Sequence, residues 1–159
     1  MRIGSSIDIH RLEEGLDLYL GGVKIEHTKG LVGHSDADCL LHAVSEALIG
    51  AMGLGDLGMH FPDTDPDLKG IDSKVILSKV GALLVKNDYT ISNIDSLVLC
   101  EKPKLAPHKE QMKENIANIL QISKNQVNVK ATRGEKLGFI GAEEGIVAQA
   151  TVLIYKNQI

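Results

Sequence analysis

Strand-like and helix-like apolar patterns take turns along the whole chain, and this interleaving limits the architectures open to it. Arg2 to His10 alternates as a strand. Leu18-Tyr19-Leu20 and Val23-Lys24-Ile25 flank Gly21-Gly22, a pair suited to the positive φ angles of a tight hairpin. Ser35 to Asp38 offers capping side chains, and Leu40, Leu41, Val44, Leu48 and Met52 follow at helical spacing up to Gly53. Val75, Ile76, Val80, Leu83 and Leu84 mark a second helix. A third spans Pro107 to Leu120, with Met112, Ile116, Ile119 and Leu120 inward. Tyr89 to Leu99, Val127 to Thr132 and Ile146 to Tyr155 read as strands. Gly55 to Gly70 is rich in Gly, Pro and Asp, and a loop of that length in a compact domain marks function or mobility. No repeat, low-complexity tract or linker divides residues 1–159, so one α/β domain of the α+β sandwich type is expected.

Seventeen basic against twenty-one acidic side chains give a formal net charge of −4. Nucleic acid is gripped by basic surfaces and stacked on aromatics, and this chain has three Tyr, two Phe and no Trp. No nucleic-acid partner is expected. No apolar run approaches the roughly 18 residues of a membrane helix, and no charged-then-apolar leader opens the chain. Cys39 and Cys100 cannot build a disulfide framework and are expected as reduced core thiols. The expectation is a cytoplasmic domain with no membrane attachment.

Asp8-Ile9-His10 is the first group able to carry chemistry. Side chains two apart on a strand share a face, so carboxylate and imidazole converge while Ile9 is expected to turn to the core. One more imidazole would complete a three-ligand zinc site with an open fourth position; the alternative is an Asp–His hydrogen bond at a strand end. His42 is the candidate third ligand, or else a solvated helix residue. His34 and Ser35 could add donors to an anion at the following helix N-terminus, beside simple capping by Ser35 or Asp36. Asp56 and the run His60-Phe61-Pro62-Asp63-Thr64-Asp65-Pro66 could close over a polar substrate, or form a series of Asx and Pro turns. Lys130 to Phe139 ends a strand in a Gly-punctuated turn. Its Thr132, Arg133, Glu135 and Lys136 suit a diphosphate held through a divalent cation, or form a charged surface turn.

Four groups occur in order and at characteristic intervals: Asp8-x-His10; His34-Ser35-Asp36-x-Asp38 with His42; Phe61-Pro62-Asp63-Thr64-Asp65-Pro66; and Lys130-Ala131-Thr132 with Glu135-Lys136-Leu137-Gly138-Phe139. In this combination the chain resembles, nearly end to end, the 2-C-methyl-D-erythritol 2,4-cyclodiphosphate synthase family of the non-mevalonate isoprenoid pathway. The resemblance implies a mixed β-sheet with helices packed on one face. It also implies a homotrimer with sheets lining a central axis and active sites between subunits. Asp8, His10 and His42 would hold zinc or another divalent cation. His34 and Ser35 would contact the substrate's phosphate or diphosphate, and Asp56 the erythritol hydroxyls, helped by the Asp63 loop. From the adjacent subunit Glu135 would hold magnesium or manganese, and Thr132 would contact the nucleotide phosphates. Cys100 to Ala106, with Lys104 and Leu105, would form the cytosine pocket. Asp56, Glu135 and Thr132 would act at the reacting groups.

The implied reaction cyclises 4-diphosphocytidyl-2-C-methyl-D-erythritol 2-phosphate with release of CMP. A metal-dependent phosphodiesterase and an isoprenoid-diphosphate-binding trimer with a cavity near Phe139 are the alternatives; a structural zinc domain is disfavoured, because such sites close with four protein ligands. The chain departs from the family pattern at Ser5-Ser6 for His-Gly, Ala37 for Gly, Glu46 for Asp, Arg133-Gly134 for hydroxyl residues and Ala142 for Arg. A phosphate contact could thereby pass from a hydroxyl to the Arg133 guanidinium.

Overall fold

The computed structural model describes residues 1–62 and 64–157. In chain order, β1 (Arg2–Glu14) leads through the hairpin β2 (Leu18–Leu20) and β3 (Val23–Ile25) and a short β4 (Lys29–Leu31) to helix α1 (Cys39–Met52). Then come α2 (Leu57–His60), α3 (Ser73–Lys86), β5 (Tyr89–Leu99), α4 (Lys109–Leu120), β6 (Val127–Thr132), α5 (Gly138–Gly141) and β7 (Gly145–Lys156). The five-stranded sheet has the order β4-β1-β7-β5-β6. It is mixed: β5 and β6 run parallel, and the other neighbours antiparallel. Arg2 to Arg11 of β1 face Ile154 to Gly145 of β7, after which Leu12 to Glu14 pair with β4.

The helices lie on one face of the sheet. Helix α1 packs on β1 and β7, α3 on α1, and α4 on β6. Leu40, Leu41, Val44, Leu48 and Ile49 of α1 are fully buried, as are Met112 and Ile116 of α4. Gly4 permits the close approach of β1 to α1, since a Cβ there would sit 1.9 Å from the Ala47 carbonyl oxygen. Gly21 and Gly22 take φ of 59° and 71°, the backbone the hairpin turn requires.

Several expectations are corrected. Ile9 does not enter the core: it is 56% exposed, with Ile3 at 71% and Ile7 at 60%, on the sheet face that carries no helix. β1 does not end at His10 but continues to Glu14. Ser35 and Asp36 do not cap α1. Asp38 does, accepting from Leu41 N at 3.0 Å, and it also accepts from Gly21 N and Gly22 N of the hairpin turn at 2.9 and 2.6 Å. The 55–70 stretch is broken by α2 and a 3-10 turn at Pro66–Leu68, and Pro107 sits in a 3-10 turn ahead of α4. Cys39 and Cys100 are buried and free, as expected.

Candidate active site

The alternation of β1 turns Asp8 and His10 toward α1, and α1 brings His42 over them. Asp8 Oδ2 lies 3.0 Å from His10 Nε2 and 3.2 Å from His42 Nδ1, and those two ring nitrogens are 3.3 Å apart. His10 Nδ1 donates to the Val32 carbonyl at 2.7 Å, which leaves Nε2 facing the cluster. Burial would raise the Asp8 pKa, but hydrogen bonds from both imidazoles hold it well below the usual carboxylate range. Burial likewise pulls the His10 pKa down, and the Asp8 carboxylate more than reverses this, so it stands above the ordinary imidazole value. One ligand atom from each of Asp8, His10 and His42 lies within 4.8 Å of the others, and one carboxylate with two imidazoles is a donor set suited to zinc or a similar divalent cation. His42 is therefore not a solvated helix residue. Its outer nitrogen, Nε2, meets Ser73 Oγ at 2.9 Å and Ser35 Oγ at 3.1 Å.

A cleft of about 320 Å³ opens beside this cluster, lined by His34, Ser35, Leu57, Gly58, Phe61 and Ile76 among others. His34 and Ser35 stand where the sequence puts them, next to the candidate ligands. The α1 N-terminus is not open to an anion, since Asp38 is fully buried there and fills it with its own carboxylate. Asp56 caps α2 through Met59 N at 2.9 Å and lies outside the cleft lining. Glu46 sits nearby, half-buried on α1. Its pKa is raised by burial and then by the like charges of Asp8 and Asp56. Asp63 lies outside the described residues.

A second cleft, about 600 Å³, is formed by Cys100 to Ala106 with Ala131, Thr132 and Arg133. It contains every residue expected of a nucleotide pocket: Cys100, Lys104, Leu105, Ala106, Thr132 and Arg133. The Cys100 thiol donates to the Lys102 carbonyl at 2.9 Å, and burial pushes its pKa up to about 12, so it is a neutral wall residue. Glu135 is exposed in the following turn with φ of 52° and does not line this cleft. Sequence reasoning missed His27 and Lys109, which do line it, and Ser73 beside His42 at the first cleft. Their only signal is long-range placement. The two clefts share no lining residue. One chain thus assembles the Asp8, His10 and His42 group and the Cys100 to Ala106 cleft separately.

Residues 1–155 match the YgbB family. The chain belongs to the YgbB family. The 2-C-methyl-D-erythritol 2,4-cyclodiphosphate synthase of Agathobacter rectalis is 59% identical over 150 residues, covering 94% of this chain and 85% of that one. Among solved structures, the bifunctional IspDF from Campylobacter jejuni superposes with a TM-score of 0.94 at 39% identity. That match covers 99% of this chain, which spans only 42% of the longer one. The IspF of Plasmodium falciparum, solved as a CDP complex, has a TM-score of 0.86 at 33% identity, over 99% of this chain and 97% of that one. Membership of the YgbB family bears out the resemblance read from the motifs, and with it the mixed sheet. Among the described residues no helix is long and apolar enough to cross a membrane.

Proposed function

We propose that this YgbB-family chain converts 4-diphosphocytidyl-2-C-methyl-D-erythritol 2-phosphate to 2-C-methyl-D-erythritol 2,4-cyclodiphosphate and CMP. An oxygen of the 2-phosphate bonds to the β-phosphorus, the bond from that phosphorus to the bridging oxygen breaks, and CMP leaves with the electron pair. The nucleophile is already ionised at neutral pH, so the site needs no general base. It needs alignment of two anions that repel each other. His34 and Ser35 bind the phosphate end in the smaller cleft, and Asp56 takes the erythritol hydroxyls, with Asp63 in support. Cys100 to Ala106 enclose the cytosine, and Thr132 and Arg133 hold the nucleotide phosphates. Asp8, His10 and His42 would hold zinc or another divalent cation, and Glu135 magnesium or manganese. Such ions neutralise phosphate charge as it shifts toward the leaving group.

The separation of the two clefts is what carries this reading. A substrate with a phosphate at one end and cytidine at the other needs both, and two copies of the chain supply them across an interface. The helix-free sheet face, with Ile3, Ile7 and Ile9 exposed, suits burial against further copies in a homotrimer. The CDP complex of the Plasmodium falciparum relative supports a nucleotide ligand.

Incubating the purified protein with the substrate and a divalent cation should give the cyclic diphosphate and CMP in equal amounts. Linear hydrolysis products would replace this reading with a phosphodiesterase. His42→Ala and Asp8→Ala should lose both bound zinc and turnover, and full zinc content in both would sink the ligand assignment.

A further inference from the structure

His42 is the one member of the metal group whose usable nitrogen is decided by side chains rather than by backbone. His10 has its outer nitrogen committed to the Val32 carbonyl, which can only accept. The outer nitrogen of His42 faces two hydroxyls, each able to donate or accept. Ser73, fully buried at the start of α3, resolves the choice because its own proton is spoken for. Its hydroxyl donates to Asp36 Oδ1, and its backbone N–H donates to Asp36 Oδ2 at 3.1 Å. A carboxylate has no proton to return. The Ser73 oxygen therefore has only lone pairs left for the 2.9 Å contact with His42 Nε2, and that contact forms only if Nε2 carries the proton.

We propose that Ser73, polarised by Asp36, is a positioning residue that holds a proton on His42 Nε2, so that a metal takes the place of the proton that Nδ1 shares with Asp8 Oδ2 at 3.2 Å. This rests on the metal reading of Asp8, His10 and His42. The same polarity has a second consequence. A protonated Nε2 offers Ser35 no acceptor, Ser35 Oγ already accepts from Ala37 N at 3.1 Å, and Ser73 Oγ is as far as 3.5 Å, so a ligand oxygen in the cleft can take the Ser35 hydroxyl proton. Ser73 and Asp36 thus serve both the cation and the phosphate without touching either. Outer partners of metal-bound imidazoles act in this way generally, and their loss costs about 10–100-fold in metal affinity.

Asp36→Asn is the sharp test, because it keeps shape and reverses polarity. The carboxylate accepts from Ser73 N–H on Oδ2, and from Ser73 Oγ and, at 3.3 Å, Asp38 N–H on Oδ1; with the amide oxygen on Ser73 N–H, the amide NH2 faces Ser73 Oγ. The Ser73 hydroxyl is then driven to donate to His42 Nε2, and the imidazole becomes the Nδ1–H tautomer. Nitrogen chemical shifts of His42 in the zinc-loaded protein should report a protonated Nε2 beside a metal-bound Nδ1 in the natural protein, and loss of that state in Asp36→Asn. Zinc affinity, read by competition with a chelator, should fall by about 10–100-fold in Asp36→Asn and in Ser73→Ala, which leaves the backbone in place. His42→Ala is the control for the underlying reading, and undiminished zinc binding there would remove the metal site itself. If His42→Ala loses zinc while both other variants keep the natural tautomer and affinity, the assignment of Ser73 is overturned. Loss in Ser35→Ala but not in Ser73→Ala would overturn it equally, by giving the proton to the other hydroxyl.

Discussion

At Asp38 a single carboxylate joins two elements that are distant in the sequence. Its oxygens take N–H groups from Gly21, Gly22 and Leu41, so the hairpin turn and the first turn of α1 share one buried acceptor. Asp38→Ala leaves three donors without their partner and should cost on the order of 3 kcal/mol, read as a lowered urea midpoint at unchanged slope. A loss below about 1 kcal/mol would mean that water or neighbouring groups satisfy those donors instead. The sequence stops short of this residue because Ser35, Asp36 and Asp38 are all capping types, and only tertiary placement selects among them. Ala37 shows the reverse. It adopts φ of 57°, the left-handed backbone that favours glycine, the residue that the resemblance led one to expect there. Arg133 raises a functional question at the same scale. Its guanidinium lies 3.7 Å from the buried Glu101 carboxylate, too long for a hydrogen bond, and the side chain is two-thirds exposed. If the guanidinium exchanges this loose ion pair for a nucleotide phosphate, Arg133→Ala should weaken CDP binding by about 1–3 kcal/mol in calorimetry. Unchanged affinity would leave it a solvated turn residue.

Alternation along β1 identifies the strand, but it misassigns the faces. Ile3, Ile7 and Ile9 look like the core side, yet Gly4, Ser6, Asp8 and His10 face α1. The reason is steric: α1 approaches so closely that Gly4 tolerates no Cβ, and Ser6 Oγ donates to the Ala43 carbonyl at 2.7 Å. Period-two spacing cannot say which face is covered within the chain and which is left for another copy. β5 and β6, whose flanks are marked by turn residues, appear where the pattern put them. On the bare face they are tied by Asp95, which accepts from Lys130 Nζ at 2.6 Å and from Asn128 Nδ2 at 3.0 Å. The hydrogen bond from Lys130 holds the Asp95 pKa below the ordinary 3.8, against some desolvation. A depressed carboxylate pKa stabilises the fold above the unfolded value and loses that contribution as pH falls through the folded one. Asp95→Asn should therefore be less stable than the natural chain by up to about 1 kcal/mol near neutrality, a small effect because the pair is exposed. The difference should close as the urea midpoints of both are followed below pH ~4. A deficit that widens on acidification would show that Asp95 does not act through its charge.

For the whole molecule, the decisive feature is that one chain carries both clefts without joining them. Their contents were legible as motifs because each motif is local. Their separation was not, because it depends on how distant strand ends are placed across the sheet. If the active site forms between subunits, His42→Ala and Glu135→Ala damage different halves of it. Each should be nearly inactive alone, yet the two should complement each other. In a cyclic trimer the same heterologous interface repeats three times around the ring. Any trimer holding both variants then has one interface where an intact His42 meets an intact Glu135. Random assembly at equal amounts makes about three-quarters of trimers mixed, and so about a quarter of all sites intact. Co-expressed and co-purified protein should recover on the order of a quarter of natural turnover, scaled by the expression ratio. Mixed trimers verified by native mass spectrometry that remain inactive would place both residues in one subunit's site, and the shared-site arrangement would fail even where the chemistry survived.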